Sequence, residues 1–109
     1  MNPGIVTDAA ALVLDLQPLP SEQVRDGDPQ TGYTELTDAI GVWEHTPGTS
    51  TDVEVDEVFV VLSGSATVTF DDPDLEPMEL RPGSVARLVA GMRTVWTVRE
   101  TLRKVAIGG

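Results

Sequence analysis

From Leu36 onward, short apolar runs alternate with polar residues, and turn signals recur every 8–12 positions, the spacing of a β-sandwich or small barrel. Ile40 to His45 predicts a strand ended by Thr46-Pro47-Gly48. Thr51 to Asp56 alternates weakly, with Val53 and Val55 on one face. Glu57 to Leu62 is the strongest strand, because five successive apolar residues, mostly β-branched or aromatic, suit a pleated and covered surface. Ser65 to Phe70 follows at once, so Leu62 to Ser65 reads as a hairpin turn. Beyond the turn at Asp71 to Asp74, Pro77 to Leu80 leads into a second turn at Arg81-Pro82-Gly83. Ser84 to Val89, Thr94 to Val98 and Leu102 to Ile107 complete the strands, with a turn at Ala90-Gly91. No helix longer than two turns is signalled after residue 20.

The first 35 residues follow another grammar and are expected to form an arm and loop packing on a barrel of residues 36–107. Ala9 to Leu12 reads as a short helix capped by Thr7 or Asp8, whereas Val13 to Leu16 is equally compatible with an extended chain; Pro18 and Pro20 stop either. Ser21 to Tyr33 is polar, broken by Gly27, Pro29 and Gly32, and reads as loop or short edge structure.

Composition narrows the function more than it narrows the fold. The 109 residues suit one domain able to bury roughly 65% of its unfolded surface, enough for a core without staples. With no cysteine, disulfides, thiolate metal sites and cysteine nucleophiles are excluded. With one histidine, His45, so is any single-chain site of two or more histidines. Eighteen acids against seven bases give a net charge of −11, which repels phosphate backbones and anionic lipid, so neither nucleic acid nor a membrane surface is an expected partner. No apolar stretch approaches a membrane span, and the start lacks a basic signal-like region, so a cytoplasmic location is expected. Seventeen of the acids precede Arg81, whereas five of the six arginines lie between Arg81 and Arg103, an imbalance suited to pairing across strands or across a dimer interface.

The segment from Gly41 to Val105 resembles the cupins. Glu57 and Gly64, with six residues between them around the apolar strand, match the end of the first cupin block; Pro82-Gly83 and the later Val89-Ala90-Gly91 match the second. Gly41 to Glu44, Thr46-Pro47-Gly48, Trp96 and Arg103-Lys104 are similar to one subgroup, the single-domain ureidoglycine aminohydrolase-like cupins. The resemblance implies an all-β cupin double-stranded β-helix (jelly-roll) barrel with an N-terminal arm. It implies three histidines and one glutamate as metal ligands in metal-binding members, but here the histidine positions are Thr51 and Val53 (or Ser50 and Asp52) and Thr94, leaving only Glu57. Valine cannot ligate and threonine is a poor neutral ligand, so no metal or other cofactor is expected. The one route to a nonstandard metal site would recruit Glu57 and His45 with Asp52 or Glu54.

By period two, Glu57, Phe59 and Val61 share a face, as do Thr94 and Trp96, and Trp43 and His45. Turned inward, these faces predict a ligand pocket of Trp43, His45, Glu57, Phe59, Thr94 and Trp96, floored by Phe59 and Trp96, with Glu57 and Thr94 as polar handles. Glu57 is the candidate acid–base group, or a carboxylate paired with Arg87 or Arg93. A serine nucleophile on His45 is not expected, since Ser63, Ser65 and Ser84 all sit in or beside turns. Val58, Val60 and Leu62 form a second apolar face on the same strand; a strand covered on both sides suggests a homodimer, with the arm at 5–16 crossing over. The leading expectation is a metal-free small cupin-domain protein binding a small molecule in the barrel. The alternatives are a ureide-type C–N hydrolase using Glu57, and a non-catalytic dimeric interaction module with a filled barrel.

Overall fold

The computed structural model describes residues 1–108, folded as nine antiparallel strands in one curled sheet. In chain order these are β1 (Gln17–Pro18), β2 (Val24–Asp26), β3 (Gln30–Glu35), β4 (Ile40–His45), β5 (Gly48–Val53), β6 (Glu57–Phe70), β7 (Met78–Leu80), β8 (Val85–Leu88) and β9 (Arg93–Gly108). Among the described residues the only helical piece is a 3-10 turn at Ser21–Gln23. The sheet curls so that one face becomes the interior, as expected for an all-β barrel.

Two strands organise everything else. β6 has 14 residues and β9 has 16, and they pair from Glu57↔Gly108 to Phe70↔Thr94. β4 and β5 add to the other side of β9, and β7 and β8 to the other side of β6. The hairpin expected at Leu62–Ser65 does not form, and the separate strands expected at 94–98 and 102–107 are one. The reason is visible at Gly64. Its φ of +93° lets the chain bulge without reversing, and the register with β9 slips between Val61 and Ala66. Odd-numbered β6 residues face inward up to Val61, and even-numbered ones from Ala66: Phe59, Val61, Ala66 and Val68 are all buried. β9 keeps one phase throughout, with Thr94, Trp96, Val98, Leu102, Lys104 and Ala106 buried.

The arm makes no helix. Ala9–Ala11 is a turn closed by Ala10 N–H donating to Asp8 Oδ1 at 3.1 Å. It lies against its own barrel, and Arg103 holds it there. The guanidinium donates to the carbonyls of Ala9 and Leu12 at 3.0 and 2.6 Å while pairing with Glu44 at 2.8 Å. Both partners of that pair are largely buried, so it is a group of fully engaged donors and not a solvated surface pair. The end of the Ser21 to Tyr33 stretch, expected as loop or edge structure, belongs to β3, which pairs with β4 from Thr31↔His45 to Glu35↔Gly41.

Candidate functional site

The open end of the barrel holds a cavity of about 260 Å³, walled by β3, β4, β5 and β9 and by the link from β5 to β6. Trp43 on β4 lies directly opposite Lys104 on β9 and Tyr33 on β3, and Ser50 on β5 lies opposite Trp96. These pairings turn one residue of each strand into the same space. The Tyr33 ring lies over Gly41, where any Cβ would collide with it, so the glycine permits the tyrosine to close that side.

At the centre is the Lys104 ammonium. It is 4.5, 4.4 and 4.8 Å from the ring centroids of Trp43, Phe59 and Trp96, and 2.6 Å from Glu57 Oε2. Trp96 packs against both other rings at 5.5 and 5.9 Å. Three electron-rich faces and one carboxylate therefore replace the water that a buried ammonium loses. Glu57 is thus paired, but with Lys104 and not with the Arg87 or Arg93 expected from the sequence.

A second group of polar contacts surrounds Glu54. Its Oε2 accepts from Thr94 Oγ1 at 2.5 Å and from Trp96 Nε1 at 3.0 Å. Burial pushes the Glu54 carboxyl above the usual range, the two hydrogen bonds pull it partly back, and the nearby Asp52 charge raises it again. Asp52, at the exposed rim, is also raised by partial burial. An acid with a raised folded pKa holds its proton longer when folded, so it adds stability at low pH and withdraws it as pH rises through the folded pKa. Glu54→Gln keeps an acceptor for Thr94 and Trp96 but removes the charge. It should raise Tm at pH 7 by about 4 °C or more, what ~1 kcal/mol is worth at this size. Thermal unfolding of the two proteins at pH 7 and pH 4.5 checks it, and the gain should shrink at the lower pH.

His45 is buried between these groups. Nδ1 lies 2.6 Å from the Thr46 carbonyl, which can only accept, so Nδ1 carries the proton and Nε2 accepts from Ser50 Oγ at 2.8 Å. Burial lowers its pKa; the Thr46 carbonyl opposes this, and the Lys104 charge adds to the lowering. The neutral ring is the folded form. As pH falls below about 6.5 the unfolded chain takes up the proton first, so the fold loses stability. The stability difference between wild type and His45→Gln should fall between pH 7 and pH 5.5 in urea titrations. A difference independent of pH would contradict a neutral buried His45.

Of the six residues expected to form the pocket, Trp43, His45, Glu57 and Trp96 line the cavity. Phe59 lies behind it, fully buried under Lys104 and Trp96. Thr94 points its hydroxyl at Glu54 and borders a neighbouring groove instead. Sequence reasoning did not assign Lys104, Glu54, Asp52, Ser50 or Tyr33 to the pocket.

The donor set does not fit the metal of metal-binding cupins. Val53 offers no donor, the Thr94 hydroxyl is committed to Glu54, and the Glu57 carboxylate is committed to an ammonium. Among the described residues, no group of three or more histidine, aspartate or glutamate side chains is arranged to hold a metal ion.

The fold is that of a cupin. A profile described as EutQ-like cupin domain matches residues 34–106, and the chain belongs to that family. Among solved structures, it is similar to a protein of unknown function of the DUF861 family from Pseudomonas syringae pv. tomato (TM-score 0.76, 19% identity, 92% of this chain and 46% of that one). It is also similar to the EutQ protein of Clostridium difficile (TM-score 0.62, 16% identity, 84% and 75%). A third is a cupin-like protein from Thermotoga maritima (TM-score 0.64, 9% identity, 90% and 80%). At these identities the likeness is one of fold. No curated protein matches the chain. No helix among the described residues is long and apolar enough to cross a membrane.

Proposed function

We propose that this chain is a metal-free cupin that binds a small molecule in the open end of its barrel. The observation that carries this reading is the cavity itself: about 260 Å³ with aromatic walls and several polar groups converging on it. At about 30 Å³ per water, that space takes a ligand displacing roughly eight or nine waters, smaller than a drug-sized molecule. The cage around Lys104 is preorganised by packing, so little side-chain ordering remains to oppose binding. A cytoplasmic setting goes with this reading.

The narrower resemblance to ureidoglycine aminohydrolase-like cupins would add C–N hydrolysis with Glu57 as acid–base group. Binding is favoured over hydrolysis because the Glu57 carboxylate is already engaged by Lys104 at 2.6 Å. A homodimer remains part of the proposal through the outer face of β6, β8 and β9, where Val85 is 65% and Ile107 38% exposed; the native mass in solution tests it.

The chain has two tryptophans, Trp43 and Trp96, and both line the cavity. Intrinsic fluorescence is therefore a direct reporter of occupancy. Screening small polar metabolites by fluorescence and thermal shift should find compounds that change both signals saturably. If none does, and the barrel end is silent to every class of small molecule, the binding reading is wrong.

A further inference from the structure

The charges lining the cavity do not balance, and the imbalance has a sign. Asp52, Glu54 and Glu57 face one cation, Lys104, and that cation is bound to Glu57. Among the described residues the remaining ion pairs, Arg99–Glu79 and Arg103–Glu44, lie elsewhere, so neither Asp52 nor Glu54 has a cationic partner. Glu54 is only 8% exposed. Both of its side-chain hydrogen bonds go to Oε2, and no donor among the described residues reaches Oε1, the other oxygen of a carboxylate on the cavity wall. No buried side-chain oxygen among the described residues lacks a partner, so Oε1 is open to the cavity, where water or a ligand can donate to it.

We propose that the cavity recognises a small protonated amine, with Glu54 Oε1 and Asp52 as the anionic anchors and Trp43, Trp96 and Tyr33 as the walls. This rests on the binding reading above and names its ligand class. The same aromatic walls already accommodate one ammonium, that of Lys104, so the chemistry of ammonium recognition is built into the barrel. Lys104 does not repel a second cation strongly, because Glu57 neutralises it at contact distance. A carboxylate ligand would instead meet two uncompensated acids. Burial is the main cause that raises the Glu54 and Asp52 carboxyls, and a cation held in the cavity would oppose it and keep them ionised. The net charge of −11 steers cations toward the molecule.

The test compares three probes of one carbon skeleton, isobutylamine, isobutanol and isobutyrate, titrated at pH 7 against the whole chain with tryptophan fluorescence and NMR as readouts. The amine should bind saturably and the alcohol at least about tenfold more weakly. Glu54→Gln and Asp52→Asn should each weaken the amine by a similar factor, while Asp74→Asn, in an exposed turn, should not. Circular dichroism and Tm confirm that each variant is folded. If the alcohol or the carboxylate binds as well as the amine, the ligand class is wrong and the binding reading survives. If Asp74→Asn weakens the amine as much as Glu54→Gln, diffuse charge explains the binding and the anchors are refuted. Silence from all three probes overturns the ligand class, and silence across the broader metabolite screen overturns the binding reading as well.

Discussion

Lys104→Ala should destabilise the protein by about 3–5 kcal/mol, the usual cost of removing one partner from a buried ion pair. A domain of this kind has about 5–15 kcal/mol in total, so the variant should unfold at much lower urea concentration. Two losses coincide. The Glu57 carboxylate, whose side chain is only 16% exposed, keeps its charge without its partner. The three rings of Trp43, Phe59 and Trp96 lose the alkyl stem and ammonium that fill the space between them. The losses can be separated. Lys104→Met retains most of the volume and offers a sulfur to the rings, so it should cost less than alanine while leaving Glu57 unpaired. Adding Glu57→Gln to Lys104→Met removes the stranded charge and should recover a large part of the deficit. Urea unfolding of wild type, Lys104→Met, Glu57→Gln and the Lys104→Met, Glu57→Gln double variant forms a double-mutant cycle whose coupling term measures the pair. A Lys104→Ala cost below about 1 kcal/mol would mean that water fills the cage and solvates Glu57, contrary to the burial of both groups.

The barrel was legible in the sequence where local chemistry and global fold agree. Pro82-Gly83 and Ala90-Gly91 read as turns because a left-handed residue there is supplied by glycine, and both glycines have φ near +90°. The strand at Glu57 to Leu62 read correctly because its apolar residues include the buried inward pair Phe59 and Val61. The site was only half legible, since at this end the barrel interior is polar. Along β5 and its continuation, Ser50 and Glu54 are buried and Asp52 lines the cavity, whereas Val53 and Val55 are 55% and 64% exposed. The alternation in the sequence sets Val53 and Val55 on one face but carries no sign that the polar face of Ser50, Asp52 and Glu54 is the one turned to the cavity. Lys104 escaped for a different reason. The phase that puts Thr94 and Trp96 inward continues through Val98 and Leu102 to Lys104, but only if residues 94–107 form one strand. Reading two strands broke the count before it reached the lysine. The partner of Glu57 was therefore sought among arginines of other turns and strands.

Gly64→Ala should be the most damaging single methyl group that can be added to this chain, costing more than about 3 kcal/mol. Its φ of +93° is unfavourable to any L side chain, but that is the smaller part. The added Cβ would lie 2.7 Å from Leu102 Cα and closer still to the Thr101 carbonyl oxygen. Both are backbone atoms of β9, which cannot yield by changing a rotamer. Relieving the contact would push β6 and β9 apart where β6 changes its inward phase, between Val61 and Ala66, both in the core. Gly83→Ala supplies the control. Gly83 has φ +91°, nearly the same dihedral, yet nothing lies within 4 Å of its added Cβ. Its cost, about 1 kcal/mol, is that of the dihedral alone. Subtracting one from the other in urea unfolding isolates the steric term. If the two variants lose the same stability, β6 and β9 are not in contact at the bulge. The phase change that sends Phe59 inward from one half of β6 and Val68 from the other would then need another cause.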